Sequence, residues 1–171
     1  MSSESISNLV TVVEANESFE TILRKEYIPQ EYIENIKQAS LLILPYENYR
    51  DDLPLCFPEY TEELYRYLHS HSEISTEICV RDADFQILEL HASIIKLGEF
   101  LIKDIIFPIV INLFSSFLYD KAKSLNQTPK ETGVDVNLLI DKEGKCREVR
   151  YSGSVEDFEK TLKALHETMF L

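Results

Sequence analysis

Apolar residues at two different spacings predict that the first part of the chain mixes helices with strands. Residues 7–15 fit a helix or a strand. From Ser18 the apolar residues recur at helical spacing, and Pro29 suits the first turn of a second helix, so two short helices are predicted before residue 40. The uninterrupted apolar run Leu41–Leu44 predicts a strand that is buried on both faces.

The next segments predict a strand–helix–strand unit. Residues 47–58 contain two prolines and paired acids, which predict a loop. Residues 61–70 carry a helical apolar stripe, and residues 74–80 alternate between apolar and polar side chains, as a half-buried strand does. A strand, a helix and a second strand in this order indicate a parallel pair joined by a right-handed crossover.

Residues 85–125 hold one glycine and one proline, and they predict one long helix or two helices bent at Pro108. Polar residues at helical spacing support this interpretation, and Glu99 and Lys103 would form a favourable ion pair four residues apart. After this helix, alternating residues 134–140, a turn at Gly144 and a return over residues 146–151 predict a β-hairpin. Ser154 then caps a last amphipathic helix.

Together these elements predict an α+β fold. A mixed β-sheet of about four strands, made of the βαβ unit and the C-terminal β-hairpin, would pack against the long apolar helix and flanking helices. The length is that of one domain. We interpret residues 1–171 as a single domain, with an N-terminal helical extension over 1–39 and an α/β core over 40–171.

Residues 105–119 contain no Asp, Glu, Lys, Arg or His, so this apolar segment must be shielded from water. It can be the core helix of the domain, or it can insert into a membrane. It can also bind a partner or a second copy through an exposed strip. A bilayer needs about 20 apolar residues, and charged residues closely flank this shorter run, which disfavours a simple transmembrane helix. The candidate partner-binding residues are Phe107, Leu113, Phe114, Phe117 and Leu118.

Composition narrows the class of protein. A formal net charge of −13 disfavours nucleic acid as a partner, because phosphate contacts need a basic surface. Residues 1–75 hold 14 acids against 5 Lys and Arg, and this charge either solvates the surface or attracts a basic protein partner. Three widely spaced cysteines and a polar N-terminus favour a reducing, cytoplasmic location.

The sequence shows no catalytic or cofactor motif. Four glycines do not supply a glycine-rich phosphate loop, and neither the histidines nor the paired acids have the spacing of a metal or acid–base site. We therefore predict no catalytic, cofactor-binding or metal-binding residues. The side chains considered are His69, His71, His91, His166, Asp51, Asp52, Glu62, Glu63, Asp82 and Asp84.

These observations favour a non-catalytic protein-interaction module, namely an accessory or regulatory subunit of a cytoplasmic protein complex. Its partner would be another protein or further copies of itself. Two alternatives stay open. One is a membrane-active effector that inserts residues 98–119, and the other is an enzyme whose site is assembled from scattered residues. Whether a small molecule binds is also open.

Overall fold

The computed structural model describes residues 8–50, 53–81, 86–88 and 94–171. Short 3-10 turns occupy Ile22–Arg24, Gln30–Tyr32 and Asp104–Ile106. In chain order the elements are β1 (Leu9–Glu14), α1 (Ile33–Gln38), β2 (Leu41–Leu44), β3 (Tyr46–Arg50), β4 (Leu53–Pro58), α2 (Thr61–His71), β5 (Thr76–Ile78), β6 (Gln86–Leu88), β7 (Ile94–Lys103), α3 (Phe107–Ser124), β8 (Gly133–Lys142), β9 (Lys145–Ser154) and α4 (Val155–His166). The predicted α+β fold, with a mixed sheet packed against a long apolar helix, is confirmed.

A six-stranded mixed sheet in the order β1-β9-β8-β7-β2-β5 organises the fold. The predicted parallel pair is β2 with β5, and the predicted hairpin is β8 with β9. The sheet exceeds the predicted size because β1 pairs with β9 and β7 lies between β2 and β8. Residues 9–14, for which helix and strand were both open, are therefore a strand. The division of the chain at residue 39 stays a prediction.

The predicted helix over residues 85–125 is wrong in its first part. Residues 94–103 form β7, and the helix α3 begins at Phe107 with Pro108 in its first turn. Both faces of β7 are covered, because Phe100 and Ile102 belong to one core while Leu101 belongs to the other. A strand covered on both faces is apolar almost throughout, and its periodicity does not distinguish it from a buried helix.

A β-bulge in β7 explains the misleading polar spacing. The register with β8 shifts between Lys96 and Gly98, and Gly98 has a φ of +128°, which glycine adopts without the strain that a side chain would add. The predicted ion pair between Glu99 and Lys103 does not form in this strand. Lys103 instead lies over the ring of Phe19, 5.4 Å from its centroid.

The loop predicted for residues 47–58 is also wrong in the described part, which forms β3 and β4 of a second sheet in the order β3-β4-β6. Proline usually interrupts a strand because it lacks the N–H that the ladder needs. Pro54 is tolerated here because it lies where the β3–β4 register shifts between Glu47 and Arg50.

Helices α3 and α4 cover one face of the six-stranded sheet. Phe114 of α3 packs on Phe100 of β7 with ring centroids 4.7 Å apart, and Phe158 of α4 meets Tyr151 of β9 edge-on at 5.4 Å. The predicted cap is confirmed, since the Ser154 hydroxyl accepts a hydrogen bond from the backbone N–H of Asp157. The burial of these aromatic rings is a main stabilising contribution to this core.

The segment from the first 3-10 turn to α1 covers the other face of the sheet. Ile22 and Ile36 pack there on Leu42, Leu101 and Leu139, which come from three adjacent strands. The sheet is thus the middle layer of the molecule, which is why its central strands are apolar on both sides.

Candidate interaction surface

The structure places the five predicted partner-binding residues in or against the core. Phe107, Phe114, Phe117 and Leu118 are 0–5% exposed, and Leu113 is partly buried against the same cluster. Their burial favours the first of the three interpretations of residues 105–119, in which this segment is the core helix of the domain. The outward face of α3 carries Ile109 instead.

Among the described residues, one helical segment, Asp104–Ser124, is long and apolar enough to cross a membrane by length and composition alone. Its most apolar window has a mean hydropathy of 1.4, and 44% of that window is buried inside the protein. The core helix of a globular domain has the same properties. Residues 98–119 are moreover not one helix, because residues 98–103 belong to β7 in the middle of the sheet.

A polar cluster lies on the sheet face opposite α3. The Nδ2 amide of Asn137 donates to Glu99 Oε1 at 3.1 Å and to Glu148 Oε1 at 3.0 Å. Burial raises the pKa of Glu99 to about 7, the bond from Asn137 opposes this rise, and the charges of Glu148 and Glu47 add to it. The convergence of two carboxylates is one requirement of acid–base chemistry.

The side chains of this cluster form hydrogen bonds and an ion pair with one another. Arg150 Nε lies 3.5 Å from Glu148 Oε1, so the second carboxylate is shared between an amide and a guanidinium. The Oδ1 atom of Asn137 is buried without a hydrogen-bond partner among the described residues. The cluster thus supplies a carboxyl that titrates near neutrality inside a network of neighbouring strands.

A second polar contact joins the end of α4 to the turn before α3. His166 Nε2 and Asp104 Oδ1 are 2.5 Å apart, and the imidazole packs on the ring of Phe107 with centroids 4.5 Å apart. Asp104 also borders a cleft of about 600 Å³. The other residues that line this cleft include Phe19, Lys103, Ile105 and Lys142. Because His166 packs on the core, we interpret the pair as a structural contact that holds the end of α4 against the 3-10 turn before α3.

The remaining candidate histidines that the structure describes have structural contacts. Among the described residues, no group of three or more His, Cys, Asp or Glu side chains could hold a metal ion. His69 and His71 each pack against a tyrosine of α2, Tyr65 at 4.4 Å and Tyr67 at 3.9 Å between ring centroids. The three cysteines are buried and free. The candidates His91, Asp51, Asp52, Asp82 and Asp84 lie outside the described residues.

Strand β1 forms an outer edge of the six-stranded sheet, and several of its apolar side chains face solvent. Leu9 is 66% exposed, Val13 52% and Val12 37%. The backbone N–H of Ala15 donates to the carbonyl of Cys146 on β9 at 3.0 Å. Hydrogen-bonded pairs alternate along an antiparallel ladder. The odd-numbered residues of β1 therefore bond to β9, and the N–H and C=O groups of the even-numbered ones point outward.

Other edge strands in the described part of the chain carry features that block pairing with another strand. The edge strand β3 has Glu47 and Arg50, and Asn48 with a φ of +52° lies in its irregular register. The edge strand β5 has three residues. Charge, bulges and shortness are the usual protections of sheet edges. β1 has six residues, an unbroken register and no proline, and its one charged residue, Glu14, is the last of the strand.

The side chain of Asn8 fastens β1 to the start of α4. Asn8 Nδ2 donates to Asp157 Oδ2 at 2.7 Å, and Asn8 Oδ1 accepts the backbone N–H of Ser154 at 2.9 Å. The amide fits because residue 153 is glycine, since a Cβ at Gly153 would lie 2.3 Å from Asn8 Oδ1. The open edge is thus held in a fixed position.

The sequence left residues 7–15 open between helix and strand, and the place of β1 at the edge of the sheet was not predicted. Val10, Thr11, Val12 and Val13 are β-branched, and this run was the available sign of a strand. Its place at the edge of the sheet depends on pairing with residues 145–154, which no local pattern encodes. Comparisons with protein-family models, with curated proteins and with solved structures find no match for this chain.

Proposed function

We propose that this chain is a non-catalytic protein-interaction module, an accessory or regulatory subunit that binds a strand of another polypeptide along the open edge of β1. This mode is β-augmentation, in which main-chain hydrogen bonds supply affinity and alternate side chains supply specificity. The observation that carries the proposal is the outer edge of β1, which is six residues long, regular in register and without a pairing strand among the described residues, with its exposed Leu9, Val12 and Val13.

Both kinds of contact that β-augmentation needs occur together at this edge. The outward N–H and C=O groups of Val10, Val12 and Glu14 offer a ladder, and Leu9 and Val13 lie on one face of it, flanking Thr11. Burial of apolar area contributes about 25 cal/mol per Å². Membership of a cytoplasmic complex is part of the proposal.

A proline substitution tests the proposal directly. Val12→Pro removes an outward N–H, and an edge strand tolerates proline where that N–H faces solvent. The matched control, Val12→Ala, trims the side chain but keeps the N–H. Tagged wild type and both variants are used to capture partners from the native extract. Val12→Pro is expected to lose the partner that wild type and Val12→Ala retain, and equal capture by all three would contradict binding at this edge.

A further inference from the structure

We infer that the strand occupying this edge is β1 of a second copy of the chain, antiparallel, with the two-fold axis at Thr11. This inference rests on the proposed function of β1 as the binding edge and names its partner. It joins the six-stranded sheets of two copies into one continuous sheet. Because the axis makes the two edges identical, each copy presents the same surface to the other.

The backbone groups of β1 fit this axis. Val10, Val12 and Glu14 carry the outward N–H and C=O groups, and a two-fold rotation at Thr11 places Val10 opposite Val12 of the second copy. In an antiparallel ladder two such residues exchange both of their hydrogen bonds. The same rotation places Thr11 opposite Thr11 of the second copy in a non-hydrogen-bonded pair. This pairing fits because the N–H of Thr11 points toward β9 and not toward the second copy.

The side chains fit the same axis. Leu9 comes to lie opposite Val13 of the second copy, so the two most exposed apolar side chains of the strand cover each other. Glu14, the one charged residue of β1, meets Asn8 and not the Glu14 of the other copy. An axis at Val12 also satisfies the backbone, but it would set Val10 against Glu14. The Thr11 axis therefore pairs polar with polar and apolar with apolar side chains, which favours it over Val12.

Engineered cysteines test the position of the axis. Cα atoms of a non-hydrogen-bonded antiparallel pair lie about 4.5 Å apart, which is inside the range of disulfides. Mild oxidation is therefore expected to cross-link Thr11→Cys into a covalent dimer. Val13→Cys, whose opposite residue is Leu9, is the control that stays uncross-linked. Cross-linking of Val12→Cys but not of Thr11→Cys would overturn the inferred register. The native thiols are buried and contribute little background.

A charge swap tests the pairing without a covalent bond. Light scattering over a range of concentrations is expected to show a dimer for wild type, and at least tenfold weaker association for Leu9→Lys and for Val13→Glu. The double variant is expected to regain the dimer, because the two new charges of opposite sign face each other across the interface. Ile109→Glu, on the outward face of α3, is the control that leaves association unchanged.

The outcomes separate this inference from the proposed function. A wild-type monomer at all concentrations, or no recovery in the double variant, overturns pairing with a second copy. If the monomer still captures a foreign protein that Val12→Pro loses, the binding edge stands and its occupant is that protein. If Val12→Pro changes neither the mass nor the captured partners, both proposals fail.

Discussion

Gly153 has no side chain, and the space beside it helps to position β1. The Asn8 amide occupies that space, and the Tyr151 hydroxyl lies 2.9 Å from where a Cβ would be. Both atoms hydrogen-bond near the start of α4, the Asn8 oxygen to Ser154 N and the Tyr151 hydroxyl to the Ser154 carbonyl. The absence of a side chain at residue 153 therefore allows β1, β9 and the start of α4 to pack together.

We expect Gly153→Ala to lower the free energy of unfolding by about 1–3 kcal/mol, because either the Asn8 amide or the strand must move. Urea unfolding measures the change, and amide exchange shows whether β1 loosens. In an Asn8→Ala background the obstructing amide is gone, so the same substitution should cost less. Equal costs in the two backgrounds would rule out the steric explanation.

Glu99 links stability to pH through its burial. Its folded pKa of about 7 lies above its ordinary value of 4.5, so the folded state binds more protons between these values. The free energy of unfolding should therefore fall as pH rises from about 4.5 to 7, by on the order of 3 kcal/mol from this group. The groups facing Glu99 are Asn137, Glu148, Glu47 and Arg150.

Glu99→Gln keeps a hydrogen-bond acceptor for Asn137 but does not ionise. We expect its stability relative to wild type to increase across the same pH interval and to level off above pH 7. Urea unfolding at several pH values between 4.5 and 8 measures the difference, with Glu143→Gln at the exposed β8–β9 turn as the flat control. Parallel curves for wild type and Glu99→Gln would show that Glu99 ionises freely.

At the scale of elements, the β8–β9 hairpin depends on two residues in the left-handed region. Glu143 has a φ of +53° and Gly144 of +91°, the signs that a two-residue type I′ turn requires. Glu143→Asn should stabilise the protein by roughly 0.5–1 kcal/mol, because asparagine tolerates this conformation better than glutamate does. Thermal unfolding measures the shift. Glu143→Ala, which removes the same charge without that preference, should not stabilise.

Helix α3 offers a comparison between a buried and an outward side chain. Phe114 is fully buried and Ile109 is 52% exposed. Phe114→Ala should cost about 3–5 kcal/mol in the isolated chain, and Ile109→Ala about 0.5 kcal/mol or less. Urea unfolding of both variants measures the difference. Similar small costs would mean that the apolar face of α3 is covered by a partner and not by this domain.

Sequence patterns predicted the elements whose periodicity, turn or cap lies within one short segment of the chain. The C-terminal hairpin carries period-two alternation and a glycine turn, and the last helix carries a serine cap, so both were predicted. β7 was not, because its apolar run reflects two covering layers that are distant in sequence. The edge position of β1 was not predicted for the same reason, since exposure of Leu9 and Val13 depends on which strands flank β1.

At the scale of the whole molecule, the sheet opposes membrane insertion. Insertion of residues 98–119 would remove part of β7 from between β2 and β8 and break both ladders. We expect the folded protein to stay out of the lipid fraction in flotation with neutral and anionic vesicles. Protein diluted from urea onto the same vesicles controls for lipid access. Flotation of the folded chain would revive the membrane-active alternative.

The pairing of β1 with β9 also governs the order in which the molecule can assemble. Leu9 has its partner at Ser152, so the first strand of the sheet bonds to the last one made. Contacts between such distant segments slow folding, because a long loop must close before they form. During synthesis β1 leaves the ribosome long before β9 exists. The backbone groups of β1 that bond to β9 therefore have no partner until the final hairpin has been translated.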